Sequence, residues 1–196
     1  ETPDIYATTV KYAFGVRAKA LAQQLNQTTA LDITVPEYWH KGLVRNVDVG
    51  EDYWSLATAI SDADPGDTLQ VWQGIYNEAV VIEQPLTLVG NATSAAVLVT
   101  AGSDYLLDID ADDVTIRNLT LLNGSGIFID KLSSHVTLER LMVRGSVSDG
   151  VYGFQNSNLA LRNVTVRDSG DAGLVLYKAT DAMVMDSTFA DNGGSG

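Results

Sequence analysis

Cysteine is absent from the 196-residue chain. Disulfides, thiolate metal sites and thiol nucleophiles are therefore excluded, although secretion is not. Histidine is nearly absent too, with only His40 and His135. A copper or zinc site draws on more ligands than two distant histidines, so both read as structural or surface residues. Positive charge is short: 12 Lys and Arg stand against 25 Asp and Glu, a net charge of -13. Such a surface repels nucleic acid and anionic membranes. It suits solubility, cation-rich media or dense surface arrays, and with only five lysines it points to a salt-adapted source. No apolar run reaches 18 residues, so no helical membrane span is expected. The chain opens on Glu1 without a basic-then-apolar leader, which fits either a removed signal segment or a fragment.

What the sequence does have is a repeat. Val114–Asn123 (VTIRNLTLLN), Val136–Gly145 (VTLERLMVRG), Leu159–Asp168 (LALRNVTVRD) and Ala182–Asp191 (AMVMDSTFAD) align, with starts 22, 23 and 23 residues apart. Each reads as two short strands around a polar corner occupied in turn by Asn118, Arg140, Asn163 and Asp186. Leu119-Thr120-Leu121 and Val164-Thr165-Val166 alternate with the period of a strand that buries one face. A third short strand, led by Gly126, Gly150 or Gly173, lies between the units, and Tyr105–Ile109 fills the same slot without a glycine. Apolar runs of three to five residues separated by Asn, Asp, Gly and Ser exclude a helical solenoid. Units this small bury their apolar sides only by stacking. The expectation is an all-β, right-handed parallel β-helix, one repeat per coil, with coils roughly 4.8 Å apart.

Gly196 falls at the slot of Gly126, Gly150 and Gly173. A further coil is thus expected to begin there, since a bare coil exposes unpaired backbone and apolar interior. Three readings stand: the natural chain continues, another subunit or a swapped segment covers the end, or a short flexible tail lies there.

The front end carries a more specific pattern. Leu56, Ala59, Ile60 and Ala63 define a short amphipathic helix at about residues 53–63, followed by a Pro65-Gly66-Asp67 turn and the strand-like TLQVW, AVVI and LTLVG. A helix across the first coil would cap it. This stretch resembles the entry segment of the carbohydrate-binding and sugar-hydrolase type of parallel β-helix superfamily, the pectin-lyase-like repeats. The match rests on Pro65, Gly66, Asp67, Thr68, Gly74, Tyr76, Glu78, Pro85, Leu86, Leu88 and Gly90. With the repeats it spans about Val47–Gly196. The resemblance implies the fold but not one activity, because the superfamily holds lyases, hydrolases, epimerases, a copper-linked maturation protein and many surface proteins.

Two domains follow: a β-helix over 47–196, its repeats at about 68–196 and incomplete at the C-terminus, and an extension over 1–46. In the extension Val10, Phe14, Ala18, Leu21 and Leu25 share a helix face, and Leu31–Val35 suggests a strand. The helix either packs on the β-helix or docks another subunit or an upstream domain.

Polysaccharide enzymes of the resembled superfamily carry Asp/Glu clusters for Ca²⁺ with an Arg or Lys base, or Asn-Thr-Asp, Asp-Asp, Gly-His-Gly and Arg-Ile-Lys strings in successive coils. None of those strings is complete here. Asp112-Asp113 is the one Asp-Asp pair, and adjacent carboxylates in a polar turn read first as solvated. Asp108, Asp110 and Asp112 alternate as calcium ligands do, but Asp113 and Leu119 stand where an EF-hand has Gly and Glu. No catalytic residue and no cofactor is expected, calcium at those three aspartates being the one alternative. Five glycosylation sequons occur. Asn118 and Asn163 read as stacked corner residues, Asn123 is the fifth, and Asn26 and Asn91 are the glycan candidates. Phe128, Tyr152, Phe154 and Tyr177 form an aromatic stripe that either packs as an outward ladder or binds glycan or protein.

The function expected is that of a non-catalytic extracellular or cell-surface structural and interaction module, partnered by itself or other surface proteins. A polysaccharide lyase or hydrolase, or a glycan-binding module on the same fold, is the alternative.

Overall fold

Three-residue strands with one inward side chain are too short to be stable alone, so the fold is decided by what stacks on what. The computed structural model describes residues 44–91, 96–100, 105–130 and 133–194. Its strands form three parallel sheets that the chain visits in rotation. Face A holds Thr68–Val71, Thr87–Gly90, Thr115–Arg117, Thr137–Glu139, Ala160–Arg162 and Met183–Met185. Face B holds Gly74–Tyr76, Ala96–Thr100, Leu119–Asn123, Met142–Arg144, Thr165–Arg167 and Thr188–Ala190. Face C holds Val80–Ile82, Leu107–Ile109, Ile127–Ile129, Val151–Phe154 and Leu174–Tyr177. Every pairing between these strands is parallel and in register from one coil to the next, as the repeat predicts.

Register turns the sequence alternation into columns. Leu69, Leu88, Ile116, Leu138 and Leu161 line the interior from face A; Tyr76, Leu98, Leu121, Val143 and Val166 line it from face B; Ile82, Ile109 and Ile129 line it from face C. All are buried. A buried Leu or Ile contributes about 1.5–3 kcal/mol relative to exposure, so the core is the main source of stability.

The corners are made by single residues in the left-handed region. Asn118, Arg140, Asn163 and Asp186 turn the chain from face A to face B, with φ between 50° and 59°. A second column, Asp113, His135, Asn158 and Asp181, precedes face A with φ between 53° and 56°. Their shared conformation aims each backbone N–H along the coil axis. Asn118 donates to the Glu139 carbonyl (3.1 Å), Arg140 to Arg162 (2.9 Å) and Asn163 to Met185 (3.0 Å), while Asp113, His135 and Asn158 reach Ser134, Ser157 and Thr180. The hydrogen-bond ladder therefore continues around the corner. Asn, Asp and His tolerate this geometry better than other side chains, which is why they recur there. Gly126 is required for a further reason: its φ is 75°, and a Cβ there would overlap the Gly150 carbonyl.

The start of the solenoid is closed differently. Val44–Asn46, counted with the extension in the sequence reading, pairs antiparallel with Thr68–Val71, and Glu51–Tyr53 pairs antiparallel with it in turn. Helix α1 (Leu56–Asp62) buries Leu56, Ala59 and Ile60, as its apolar spacing predicts. Glu78 and Gln84 hold its two ends. The Glu78 carboxylate accepts from Ser55 Oγ (2.8 Å) and from the N–H groups of Leu56 and Ala57. The Gln84 amide donates to the carbonyls of Ile60 and Ala63. Asp67, from the Pro-Gly-Asp turn, accepts from Asn46 Nδ2 (2.6 Å) and the Asp64 N–H (2.9 Å). The Tyr76 hydroxyl donates to the Trp72 carbonyl, and burial raises its pKa. Of the entry-segment residues, Glu78 and Asp67 are thus fasteners of the cap. The helix expected over Val10–Leu25 and the strand at Leu31–Val35 lie outside the described residues, as do Asn26 and His40.

Candidate functional site

Face C carries the surface richest in chemistry. Its outward aromatics stack along the coil axis: Tyr105 on Phe128 (5.0 Å between centroids), Phe128 on Tyr152 (5.7 Å), Tyr152 beside Phe154 (6.4 Å) and Phe154 on Tyr177 (5.5 Å), with interplanar angles of 5° to 23°. All four stripe residues named from sequence are brought together, and Tyr105 joins them. At these separations near-parallel rings overlap their faces with one another. Inner rings therefore present edges outward, while the ammonium of Lys178 lies 5.2 Å from the Tyr177 centroid. Stacking of a sugar ring needs an open ring face, and rings stacked on one another compete with a sugar for theirs.

Beside the ladder sit carboxylates. Asp108 pairs in register with Phe128, and Asp110 and Asp130 follow the face C strands one coil apart, continuing the line of Glu83. Burial, then the charges of Asp130, Asp110 and Glu83, raise the Asp108 pKa above the ordinary 3.8. Asp112 does not join this group. It lies at the corner before face A, where its Oδ1 accepts from the backbone N–H (2.6 Å) and hydroxyl (2.7 Å) of Ser134, and those bonds lower its pKa. The structure thus separates Asp112 from Asp108 and Asp110. Among the described residues no group of three or more His, Asp and Glu side chains is gathered as a metal cage.

The same corner places a serine, a histidine and aspartates together, a combination hidden in the sequence because the partners lie one coil apart. Ser134 Oγ is 3.2 Å and Asp113 Oδ1 3.7 Å from Nδ1 of His135, and Asn158 Nδ2 lies 3.3 Å from its Nε2. A serine nucleophile relay needs hydroxyl and carboxylate on opposite ring nitrogens. Here both approach one nitrogen, and the Ser134 hydroxyl donates to Asp112 instead. The arrangement joins coils and does not prime a nucleophile. Writing the repeats beneath one another, with the residue before each aligned segment included, is the signal that would have shown this column.

Faces A and B bear arginines. Arg144 pairs with Asp168 (2.7 Å) and Arg167 with Asp191 (3.6 Å), the same diagonal contact in successive coils. Arg117, Glu139 and Arg162 are in register on face A, and Arg140 at the adjoining corner pairs with Glu139 while donating to Asn118 Oδ1 (2.7 Å). Of the sequons, Asn118, Asn123 and Asn163 all occupy left-handed corners. Asn91 follows a face A strand, and its N–H donates to the Val71 carbonyl (2.9 Å).

The last described coil differs from those before it. Val184 stands in the inward column, in register with the buried Leu161, yet is 42% exposed, and Met183 and Met185 flank it at 47% and 36%. Phe189 and Leu176, also inward, are only partly buried.

A family model described as "Right handed beta helix region" matches residues 90–196, more than half of the chain. The chain belongs to that right-handed β-helix family, in agreement with the register and the three-sheet rotation. No curated protein and no solved structure matches it. Among the described residues no helix is long and apolar enough to cross a membrane.

Proposed function

We propose that this member of the right-handed β-helix family is a non-catalytic structural and interaction module, displayed outside the cell at a surface or within a surface assembly. It works by association. The observation that supports this reading is the surface of the coils: the face C aromatics stack on one another, and Arg140, Arg144 and Arg167 reach Asn118, Asp168 and Asp191 of adjacent coils, which suits a stiff rod. Glycan at Asn91 belongs to this reading as decoration of an exposed module.

Light scattering across a concentration series tests it. The expected result is a mass above the 21.0 kDa of one chain that rises with concentration, with β-sheet circular dichroism retained. A single-chain mass for the unaltered protein at every concentration overturns it.

A further inference from the structure

Face C changes character halfway along the solenoid. Its strands pair in register, so outward residues form columns. One column holds Glu83, Asp110 and Asp130, which follow the inward Ile82, Ile109 and Ile129, before it turns aromatic at Phe154 and Tyr177. The backbone ladder passes through the acidic residues: the Asp110 N–H donates to the Ile82 carbonyl (2.9 Å) and the Asp130 N–H to the Ile109 carbonyl (2.9 Å). Consecutive members are thereby set roughly 4.8 Å apart along the axis. Asp108 lies beside them, between Val81 and Phe128 in its own column. Asp130 has an interaction partner of its own. Glu83, Asp108 and Asp110 have no cationic partner among the described residues. Like charges facing one another across strands destabilise a sheet. Burial, and then the charges of Asp130, Asp110 and Glu83, hold the Asp108 carboxyl above its ordinary pKa.

The later coils are joined the other way. Arg144 meets Asp168 and Arg167 meets Asp191, opposite charges one coil apart. Salt screens attraction and repulsion alike, so it relieves the acidic column and loosens the arginine pairs. Spacing sets the range in which the column responds. The Debye length is about 8 Å at 0.15 M, longer than the rise of one coil, so neighbours in the column still repel there. It falls to the rise of one coil near about 0.4 M and to about 3 Å at 1 M. Charges spaced more widely than the Debye length are already screened at about 0.15 M.

We propose that the acidic half of face C is an ionic-strength-sensitive element of the fold: its stacked like charges hold the first face C strands under tension below about 0.4 M salt, and these strands tighten as salt rises above it. Glu83, Asp108 and Asp110 are the groups responsible. The responding solute is any simple monovalent salt, acting by screening and not through a fitted site. The response is internal to one chain and does not depend on its assembly.

Hydrogen-exchange mass spectrometry in NaCl at about 0.15 M and about 1 M reads the two halves of the solenoid separately. Exchange in the peptide spanning Leu107–Asp110 is expected to slow about threefold or more at the higher salt, while the peptide spanning Thr165–Asp168 exchanges unchanged or faster. Glu83→Gln/Asp110→Asn removes two charges of the column and keeps the side-chain shapes. It is expected to slow exchange of the first peptide already at the lower salt and to remove about half or more of the salt response. Asp181→Asn/Asp186→Asn removes the same charge elsewhere, at corner columns where Asn158 and Asn163 already stand. It is expected to leave the response intact. Unchanged circular dichroism shows that each variant folds, and Asp110→Asn alone replaces the double variant if that one does not. Equal slowing of both peptides, or equal loss of response in the two variants, overturns the column as the source and assigns the effect to net charge. The full response to about 1 mM CaCl2 at the lower salt overturns screening in favour of a bound divalent ion. No change in the first peptide between the two salt concentrations overturns the proposal outright.

Discussion

Glu78 and Ser55 are joined across 23 residues of sequence by a 2.8 Å hydrogen bond from the Ser55 hydroxyl to the Glu78 carboxylate. Through it the strand turn after face B holds the first turn of α1, and the same carboxylate also takes the Leu56 and Ala57 N–H groups. Short helices are marginal on their own, so α1 persists by packing and by capping. Glu78→Ala is expected to cost about 2 kcal/mol, because three bonds to a charge are lost at once. Urea denaturation checks it, and Glu78→Gln should recover part of the loss. Equal stability for Glu78→Ala and the unaltered chain would show that packing alone holds the cap.

Asn163 gives a cleaner view of the corners. Its side chain is exposed, its φ is 53°, and its N–H donates to the Met185 carbonyl. Asn163→Ala keeps the donor but places a less tolerant residue in the left-handed region, for an expected loss of about 1 kcal/mol. Asn163→Gly should stay within about 0.5 kcal/mol of the original. Thermal melts of the two variants rank them, and the reverse order would mean that the Asn amide, not the backbone angle, holds the corner.

Gly150 is constrained by space. An added methyl would overlap Val166 Cγ1 in the core and crowd the Gly173 carbonyl at 2.8 Å. Gly150→Ala is expected to destabilise by about 2–3 kcal/mol as an overpacked interior position. The paired variant Gly150→Ala/Val166→Ala should recover part of that in a denaturation series, because it removes the side chain met first. A failure to recover would place the strain in the Gly173 backbone.

The repeat was legible because Ile116, Leu138 and Leu161 recur at the pitch of a coil and each needs the next to be buried. The entry segment was legible through Pro65, Asp67, Tyr76, Glu78 and Gly90, and contacts then gave Asp67 and Glu78 their roles in fastening the cap. Glu51–Tyr53 was not, since a three-residue polar edge strand has no apolar alternation to announce it. Asp108, Asp110 and Asp112 read as one group because alternate residues of a strand share a face. The chain leaves face C after Ile109, so the alternation breaks and Asp112 turns to Ser134. Ser134, His135 and Asp113 were overlooked for the converse reason: residues distant in sequence become neighbours when the coils stack.

Asp108 and Asp112 should titrate in opposite senses. Asp108 has a raised pKa in the folded chain, so the native state holds its proton more tightly than the unfolded state does. Stability from this group is then greatest at low pH and falls as pH rises from the ordinary 3.8 through the raised value. Asp112 has a lowered pKa, so its contribution is present above 3.8 and is lost as pH falls through the folded value. Asp108→Asn is expected to raise the melting temperature at pH 7 relative to pH 3. Asp112→Asn should lower it at pH 7 and matter less at pH 3. Melting curves between pH 3 and 7 decide, and parallel profiles for both variants would contradict the assignment.

The Phe154–Tyr177 stack separates two uses of face C. Rings 5.5 Å apart with planes 5° from parallel interact with each other before they meet any ligand. If the ladder is structural, a double-mutant cycle with Phe154→Leu and Tyr177→Leu should show a coupling of about 1 kcal/mol. Tyr152→Ala should then reduce stability and leave retention on a panel of immobilised glycans unchanged. A glycan-binding ladder behaves otherwise: the coupling is near zero, because the rings must turn their faces outward, and Tyr152→Ala abolishes retention while the melting temperature holds. The first pattern is expected, since the coil spacing that sets the register also brings the rings into contact without any ligand.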